Sequence, residues 1–294
     1  MKLKFYFFAI LFISLCSCED NINIDFPEAE ENLVLNSLIR NGDSIKVNLG
    51  KTISYTDLSQ PPSVGTGKLD LYKDGLWHST GFVCQKVKSD DAYKDTTYTF
   101  CFNHIAQEKS HYRIVASSDG FDPIMGSTNT ASSAKIENWL LSNSSSFSFD
   151  IVDNGNENNY YFFTVTRTDT FGQQEDELVT LQTQDLILEL IGSADEVVNL
   201  PSGESIGTIG FVEDISFNGK RKSIVLTGFF FNNGILKLNF YSCSESYYQF
   251  YRTSFRSQFL TNNILFSPSE VYSNVSNGYG LVGSVWDTVI EIPR

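Results

Sequence analysis

Alternating hydrophobic and polar positions recur along most of the chain. Ile45, Val47 and Leu49 alternate with Lys46 and Asn48, and this period of two predicts a half-buried strand. Asn-Gly occurs five times and Asp-Gly twice, and both dipeptides are strong short-range signals for hairpin turns. Aromatic residues make up 14% of the chain, and they favour pleated sheet. The pattern therefore predicts an all-β protein built from short strands.

Two domains are predicted from the spacing of these strands. Closely spaced strand patterns with turn signals predict an immunoglobulin-like sandwich over residues 32–132. A stretch rich in Ser, Asn, Thr and Ala begins at Ser127, and we interpret residues 133–146 as a linker. Strand patterns then resume, so a second β-rich domain is predicted over residues 147–294, with a long hairpin around Asn232-Asn233-Gly234. A single long sandwich is the alternative.

One segment of the second domain departs from the β pattern. Its aromatic residues recur at three- and four-residue spacing: Tyr247, Tyr248, Tyr251, Phe255 and Phe259. This spacing predicts an amphipathic helix near residues 244–259 whose aromatic stripe packs on the sheet of the second domain. Ser242 with Glu245, and Ser246 with Gln249, match the capping-box pattern for a helix start.

The beginning of the chain has the layout of a secretory signal. Lys2 and Lys4 precede an apolar run from Phe5 to Leu15. That run is shorter than the roughly 20 residues of a membrane-spanning helix, and its length is typical of a signal peptide. We therefore predict a signal peptide over residues 1–17.

The signal ends in a motif that resembles the bacterial lipobox. In Leu15-Cys16-Ser17-Cys18, the last cysteine stands where the acylated residue is expected, so Cys18 is predicted to carry the lipid and Cys16 to be removed. Residues 18–31 then form a polar tether. Its start, Glu19-Asp20, resembles the surface-export signal of some Gram-negative lipoproteins. A lipid anchor in the outer membrane, with the protein facing the cell exterior, is the expected localisation.

The charge balance excludes several classes of partner. Acidic residues number 35 and basic residues 21, which gives a formal net charge of −14. Nucleic-acid binding depends on basic patches that release counterions, and the longest basic run is only Lys220-Arg221-Lys222. We therefore expect no nucleic-acid partner, and we expect attachment to the membrane through lipid rather than through charge.

No catalytic, cofactor or metal site is predicted. Residues 278–283 spell G-x-G-x-x-G, but the chain ends eleven residues later, which leaves no room for the βαβ unit of a dinucleotide site. His78, His104 and His111 lack zinc-site spacing, and no nucleophile–base set accompanies them. The glycines are interpreted as places of close backbone approach at turns.

The remaining cysteines predict one disulfide. Cys84 and Cys101 lie on strand patterns that we expect to pair, and closing this loop stabilises the fold by about 3 kcal/mol in the chain-entropy model. Cys243 ends an apolar strand pattern and is predicted to be a small buried hydrophobe. For ligand contacts, the aromatic residues Tyr55, Trp77 and Tyr93 are the candidates, because binding residues are commonly found on exposed loops.

The order of several short motifs resembles the lipoprotein family called domain of unknown function 4249. After the lipobox, the motifs that carry the resemblance are Ile24-Asp25-Phe26-Pro27, Leu33-Val34-Leu35-Asn36, Ile45-Lys46-Val47-Asn48-Leu49, Leu71-Tyr72-Lys73-Asp74-Gly75, Asn159-Tyr160-Tyr161, Tyr247-Tyr248 and Val271-Tyr272-Ser273-Asn274-Val275-Ser276-Asn277-Gly278-Tyr279-Gly280. The resemblance covers nearly the whole mature chain. It implies an outer-membrane lipoprotein, often encoded beside a TonB-dependent transporter, and it supplies no catalytic residues. The Cys84/Cys101 pair is not a feature of the family.

The expected function is therefore that of a surface-exposed lipoprotein that binds a ligand, as a non-enzymatic accessory subunit of a TonB-dependent β-barrel transporter. An adhesin or cell-surface assembly subunit is one alternative. A carboxylate-dependent hydrolase that uses acids such as Asp90, Asp91 or Asp95 is the other. Glycosidase chemistry holds two carboxyl groups about 5–10 Å apart across a cleft, so a pocket with paired, partly buried acids would favour the hydrolase.

Overall fold

Strands dominate the computed structural model, which describes residues 30–53, 62–88, 96–155, 157–169, 177–192, 205–228, 230, 234–260 and 270–292. The earlier strands are β1 (Leu33–Arg40), β2 (Ser44–Lys51), β3 (Lys68–Lys73), β4 (Leu76–Thr80), β5 (Phe82–Lys88), β6 (Thr96–Ile105), β7 (His111–Ser117), β8 (Ile124–Asn129), β9 (Lys135–Asn143) and β10 (Ser146–Val152). The later strands are β11 (Tyr160–Asp169), β12 (Glu177–Leu178), β13 (Leu181–Thr183), β14 (Leu188–Ile191), β15 (Ser205–Gly207), β16 (Ile209–Glu213), β17 (Arg221–Gly228), β18 (Gly234–Cys243), β19 (Val275–Ser276) and β20 (Tyr279–Ile292). Helix α1 (Glu245–Leu260) follows β18, and a short 3-10 turn (Asp214–Ser216) follows β16.

One long sheet joins the two ends of the described chain. Its strand order is β14-β16-β11-β18-β20-β1-β2-β6-β5, and β12 pairs with β11 beside this path. At its centre, β1 and β20 run parallel, in register from Val34 opposite Tyr279 to Arg40 opposite Val285. The remaining length of β20 pairs antiparallel with β18. The last strand therefore connects N-terminal and C-terminal segments through backbone hydrogen bonds.

A five-stranded sheet, β19-β8-β7-β3-β4, covers the N-terminal part of the long sheet. The long sheet contributes Leu35, Val47 and Phe102 to the core between the two layers, and the smaller sheet contributes Leu71 and Ile114. All five side chains are buried, as the period-two pattern predicts. Truncating one of these leucines to alanine would cost about 2–5 kcal/mol of stability, because the cavity would refill only partly.

A second five-stranded sheet, β15-β13-β17-β10-β9, covers the C-terminal part of the long sheet. Its core is aromatic, with Phe149 and Ile224 facing Phe163 and Phe240. The rings of Phe149 and Phe163 meet edge to face with centroids 5.2 Å apart, a geometry that aromatic pairs prefer. The two sandwiches thus use separate cores on one shared sheet.

Helix α1 lies on the opposite face of the long sheet. Phe162 and Phe211 project from β11 and β16 toward this face. Tyr248 packs on Phe211 and Tyr251 on Phe162, with ring centroids 5.6 Å and 4.8 Å apart. The predicted packing of the aromatic stripe on the second sandwich is therefore confirmed, and so is the all-β class with one packed helix.

The helix start differs from the prediction. Ser244 is the residue that caps α1, because its Oγ accepts the Tyr247 N–H at 3.3 Å and its carbonyl accepts the Tyr248 N–H at 2.9 Å. The capping boxes predicted at Ser242 and Ser246 are wrong. The side chains of both serines are buried, and the first helical turn begins between them.

The region predicted as a linker, residues 133–146, contains a strand. Lys135–Asn143 forms β9, the edge of a five-stranded sheet, and pairs antiparallel with β10. Its polar composition suits an edge strand that faces solvent, which explains why the sequence resembles a linker. Residues Glu31–Arg294 form one compact unit, in which two sandwiches share a sheet and the first includes β19 near the C-terminus.

The predicted hairpin around Asn232-Asn233-Gly234 is also wrong. Strand β17 pairs with β10 and β13 in the smaller sheet, whereas β18 pairs with β11 and β20 in the long sheet. Successive strands that both carry alternating apolar residues can pair with each other or face each other across a core. Here they face each other, with Ile224 and Leu238 in the same hydrophobic cluster.

Candidate functional site

A polar cleft of about 530 Å³ lies where the first sandwich meets the start of α1. Its walls come from the end of β8, from residues 157–160, from residues 243–246 and from residues 272–274. Ser, Thr and Asn side chains make up most of the lining. The volume lies within the range of about 300–1,000 Å³ that small-molecule sites occupy. We call this feature the polar cleft.

Buried hydroxyl groups fix the floor of the polar cleft. Ser246 Oγ lies 3.2 Å from Thr128 Oγ1 and 3.1 Å from Ser244 Oγ, and it donates to the Val282 carbonyl at 3.0 Å. Ser244 Oγ also accepts the Ser284 N–H at 3.0 Å. These bonds hold β8, α1 and β20 in one arrangement, because each buried hydroxyl has a partner that it would lose on movement.

Ser284 extends this network to the end of β8. Its Oγ donates to the Asn129 carbonyl at 3.0 Å and accepts the Ala131 N–H at 3.0 Å. The side chain of Asn129 is exposed and forms no hydrogen bond with any described residue. The backbone of Asn129 is therefore fixed while its amide group stays available at the cleft.

A second turn positions the opposite rim. The Asn159 amide donates to the carbonyls of Asn154 and Glu157 at 3.3 and 3.0 Å and to Asp214 Oδ2 at 3.2 Å. Burial raises the pKa of Asp214, although its hydrogen bonds with Asn159 oppose that shift. These bonds place Asn158 at the rim with an exposed side chain that, like that of Asn129, has no hydrogen-bond partner in the described part of the chain.

Two carboxylates also stand at the rim of the polar cleft. Ser132 Oγ donates to Glu157 Oε1 at 2.6 Å. Burial raises the pKa of Tyr160 to about 12, and the nearby Glu245 carboxylate adds to the shift. Both glutamates are exposed. They therefore differ from the paired, partly buried acids that would favour a hydrolase.

The aromatic ligand contacts predicted from sequence lie elsewhere or outside the described residues. Trp77 is 60% exposed on β4, and its Nε1 donates to Asp70 Oδ1 at 3.4 Å. It adjoins exposed Leu76 on β4 and does not line the polar cleft. Tyr55 and Tyr93 lie outside the described residues, as do the lipidation site Cys18 and the acids Asp90, Asp91 and Asp95.

The structure joins Cys84 of β5 to Cys101 of β6 by a disulfide, with Cα atoms 5.7 Å apart. The antiparallel pairing of these two strands brings the cysteines together. Cys243 is buried and free, and burial raises the pKa of its thiol. The Cys243 side chain thus has the environment of a small buried hydrophobe.

The histidines do not form a metal site in the part of the chain that the structure describes, where no group of three or more His, Cys, Asp or Glu residues could hold an ion. His104 contacts His78, with ring centroids 4.2 Å apart. Its Nε2 lies 2.8 Å from the Tyr112 hydroxyl, which accepts the Gln107 N–H at 3.1 Å. The His104 ring thus lies beside a hydroxyl that can donate to Nε2 or accept from it, depending on the tautomer of the imidazole.

Sequence reasoning did not find the residues of the polar cleft. Asn129 lies in the Ser/Thr/Asn-rich stretch that we interpreted as the approach to a linker, and Asn158 lies in an ordinary turn pattern. The available signal was the polar composition itself, since a run of Ser, Thr and Asn can also form the floor of a binding site. Glu245 was noted only as a capping residue.

Comparisons with known proteins identify a family. No curated protein matches the chain. A crystal structure of bovine butyrophilin is 9% identical, with a TM-score of 0.18, over 72% of this chain and 92% of that one. Among the described residues, no helix is both long and apolar enough to cross a membrane. The model of the family described as domain of unknown function (DUF4249) matches residues 19–289, and the chain belongs to that family.

Proposed function

We propose that this protein is a lipid-anchored, outer-membrane binding subunit that captures a ligand in the polar cleft for a TonB-dependent transporter. The polar cleft is the observation that carries the proposal. Its floor is held by buried hydrogen bonds between three elements, while the exposed amide groups of Asn129 and Asn158 at the rim form no hydrogen bond with any described residue. Binding sites combine fixed backbone with a few available polar groups in this manner.

The proposed anchor and partner rest on the sequence. The apolar run before Leu15-Cys16-Ser17-Cys18 supports export and acylation at Cys18, and Glu19-Asp20 supports display at the cell exterior. Several acyl chains attach a protein stably to a bilayer, since each buried CH₂ contributes about 0.8 kcal/mol. The transporter is the partner that the family resemblance implies.

Two other functions remain as alternatives to be tested. An adhesin or surface assembly subunit would share the anchor and the sandwiches, but its binding surface would not need a concave polar site. A hydrolase would need carboxylates at a reacting bond. The exposure of Glu157 and Glu245 favours a binding role over acid–base chemistry, because desolvation is what tunes a catalytic acid.

Growth of cells that carry cleft variants tests the proposal. Asn129→Ala with Asn158→Ala removes two exposed side chains without touching the floor, and Asn103→Ala removes an exposed asparagine of β6 as the matched control. Each variant strain competes with the strain that carries the unmodified protein, on a panel of single nutrient sources. We expect the strain with the double variant to be outgrown on at least one source and the Asn103→Ala strain to be outgrown on none. Equal growth of both strains on every source would contradict the proposal.

A further inference from the structure

We infer that the polar cleft takes a neutral, polyhydroxylated ligand, namely a short saccharide. This inference rests on the proposed binding role and adds the chemical class of the ligand. It follows from which side chains line the cleft, which of them are already paired, and what the free ones can donate and accept.

The lining excludes an anionic ligand. Among the described residues that line the cleft, His111 is the only one that can carry a positive charge, and none is Lys or Arg. The first helical residue of α1 is Glu245, so a carboxylate already occupies the helix end that would attract a phosphate or carboxylate group. The net charge of −14 further opposes the approach of an anion.

An apolar ligand fits the polar cleft no better. Small-molecule sites for apolar ligands are lined mainly by hydrophobic and aromatic side chains. Here Ala131 and the buried Cys243 are the only aliphatic or thiol side chains among the lining residues that the structure describes. An apolar group would have to displace water from hydroxyl and amide groups without replacing their hydrogen bonds.

The free groups combine donors and acceptors. The amides of Asn129 and Asn158 each supply two N–H donors and one carbonyl acceptor. Glu157 accepts the Ser132 hydroxyl through Oε1, and Oε2 has no hydrogen bond to any described residue. A sugar hydroxyl both donates and accepts, so it can satisfy this mixture. An ammonium group only donates and would leave the amide N–H groups unpaired.

The rim also offers a ring surface. Tyr272 is half-buried in the lining, and burial raises its pKa, with Glu245 adding to the shift. Its phenol therefore stays protonated at neutral pH. A tyrosine presents an apolar face beside a polar hydroxyl, and this suits a sugar ring, which has C–H groups on its face and hydroxyls at its edge.

Calorimetric titration of the full-length lipoprotein, held in a detergent without sugar groups, tests the inference. The probes are short gluco-, manno-, xylo- and N-acetylglucosamine oligosaccharides, with spermidine as the cationic probe and inorganic phosphate as the anionic one. We expect at least one oligosaccharide to bind. We expect Asn129→Ala with Asn158→Ala to raise its Kd about tenfold or more, since each substitution removes a side chain that pairs with hydroxyls. Asn103→Ala should leave the Kd within about twofold.

Three results would overturn the inference. One is the absence of binding to every oligosaccharide, and another is a Kd that the double variant leaves unchanged. The third is tighter binding of spermidine or phosphate than of any sugar. Equal melting temperatures of the variants and the unmodified protein establish that the variants are folded. If the oligosaccharides fail while the double variant still loses growth competition, the saccharide class is wrong and the proposed binding function stands.

Discussion

The side chain of Asn274 pairs with both backbone groups of Val282. Asn274 Oδ1 accepts the Val282 N–H at 2.9 Å, and Nδ2 donates to the Val282 carbonyl at 2.8 Å. The same Nδ2 donates to the Ser127 carbonyl at 2.8 Å. One amide therefore takes the place of a neighbouring strand and ties the long sheet at β20 to the smaller sheet at β8, directly beneath the polar cleft.

Asn274→Asp is expected to destabilise the protein by about 3 kcal/mol. A carboxylate cannot donate, so the carbonyls of Ser127 and Val282 would each lose the Asn274 hydrogen bond and face a negative charge, although the Val282 carbonyl keeps the bond from Ser246 Oγ. Urea unfolding measures the change in the free energy of unfolding. Asn103→Asp, at an exposed position, is the control and should change it by less than about 0.5 kcal/mol. Equal effects of the two substitutions would show that the Asn274 bridge contributes nothing.

Acidification is expected to weaken the fold through His104. Burial is the main cause that lowers the pKa of His104 below its usual value of 6.5, and His78 and Lys73 add to the shift. The unfolded chain then binds this proton more readily than the folded protein does, so the free energy of unfolding falls as the pH drops below about 6.5.

His104→Gln should remove part of that pH dependence. The comparison is the free energy of unfolding at about pH 7.5 and about pH 5.5, values that bracket the histidine range. His111→Gln is the control, because His111 is exposed. If the free energy of unfolding of His104→Gln depends on pH as strongly as that of the unmodified protein, His104 is not the source of the pH dependence.

Removing the disulfide should also destabilise the fold. The bond between Cys84 and Cys101 closes a separation of 17 residues, for which the chain-entropy model gives about 3 kcal/mol. We expect Cys84→Ser with Cys101→Ser to lower the free energy of unfolding by up to this amount. Mass spectrometry of a non-reduced digest should recover the two linked peptides. Recovery of Cys84 and Cys101 as alkylated thiols without prior reduction would contradict the bond.

Acylation is expected at Cys18 alone. Cys18→Ala should leave an unprocessed or soluble form, whereas Cys16→Ala should be processed normally, because residue 16 precedes the cleavage site of the lipobox. Labelling of cells with a fatty-acid probe distinguishes the two variants. Equal labelling of the two variants would contradict acylation at Cys18.

The strand pattern could be predicted from sequence because each strand has one buried face. Ile45, Val47 and Leu49 are buried and Lys46 and Asn48 are exposed, as their alternation indicates. Pairing between distant strands could not be predicted in the same way. Alternation specifies which side of a strand is buried, and it contains no information on which strand lies beside it.

The role of the glycines near the C-terminus could be predicted only partly from the sequence. They were interpreted as places of close backbone approach at turns. The close approach is present at Gly280, which has φ +119° and where a Cβ would fall 2.1 Å from the Leu35 carbonyl oxygen, but Gly280 lies inside β20 rather than in a turn. Gly278 likewise leaves no room beside the Leu33 carbonyl. Gly278 and Gly280 thus serve the close parallel approach of β20 to β1, a contact between the two ends of the described chain, whereas Gly283 leaves room for Tyr247 of α1.

The polar cleft could not be predicted from the sequence, for a related reason. Its free amides, Asn129 and Asn158, come from segments far apart in sequence that meet only through the bonds of Ser284 and Asn159. Exposed asparagines in turn-like sequence have an ordinary role as loop residues. Only the arrangement of β8, α1 and β20 distinguishes Asn129 and Asn158 from the other exposed asparagines.

Purification of the tagged lipoprotein from native membranes in gentle detergent tests the central claim most directly. The measured quantity is the molar ratio of co-purified protein to lipoprotein. We predict a TonB-dependent β-barrel in near-equal amount, both for the unmodified chain and for Asn129→Ala with Asn158→Ala, because the cleft binds the ligand and not the barrel. Recovery of the lipoprotein alone, or with another extracellular scaffold, would contradict the accessory role and favour the adhesin or assembly function.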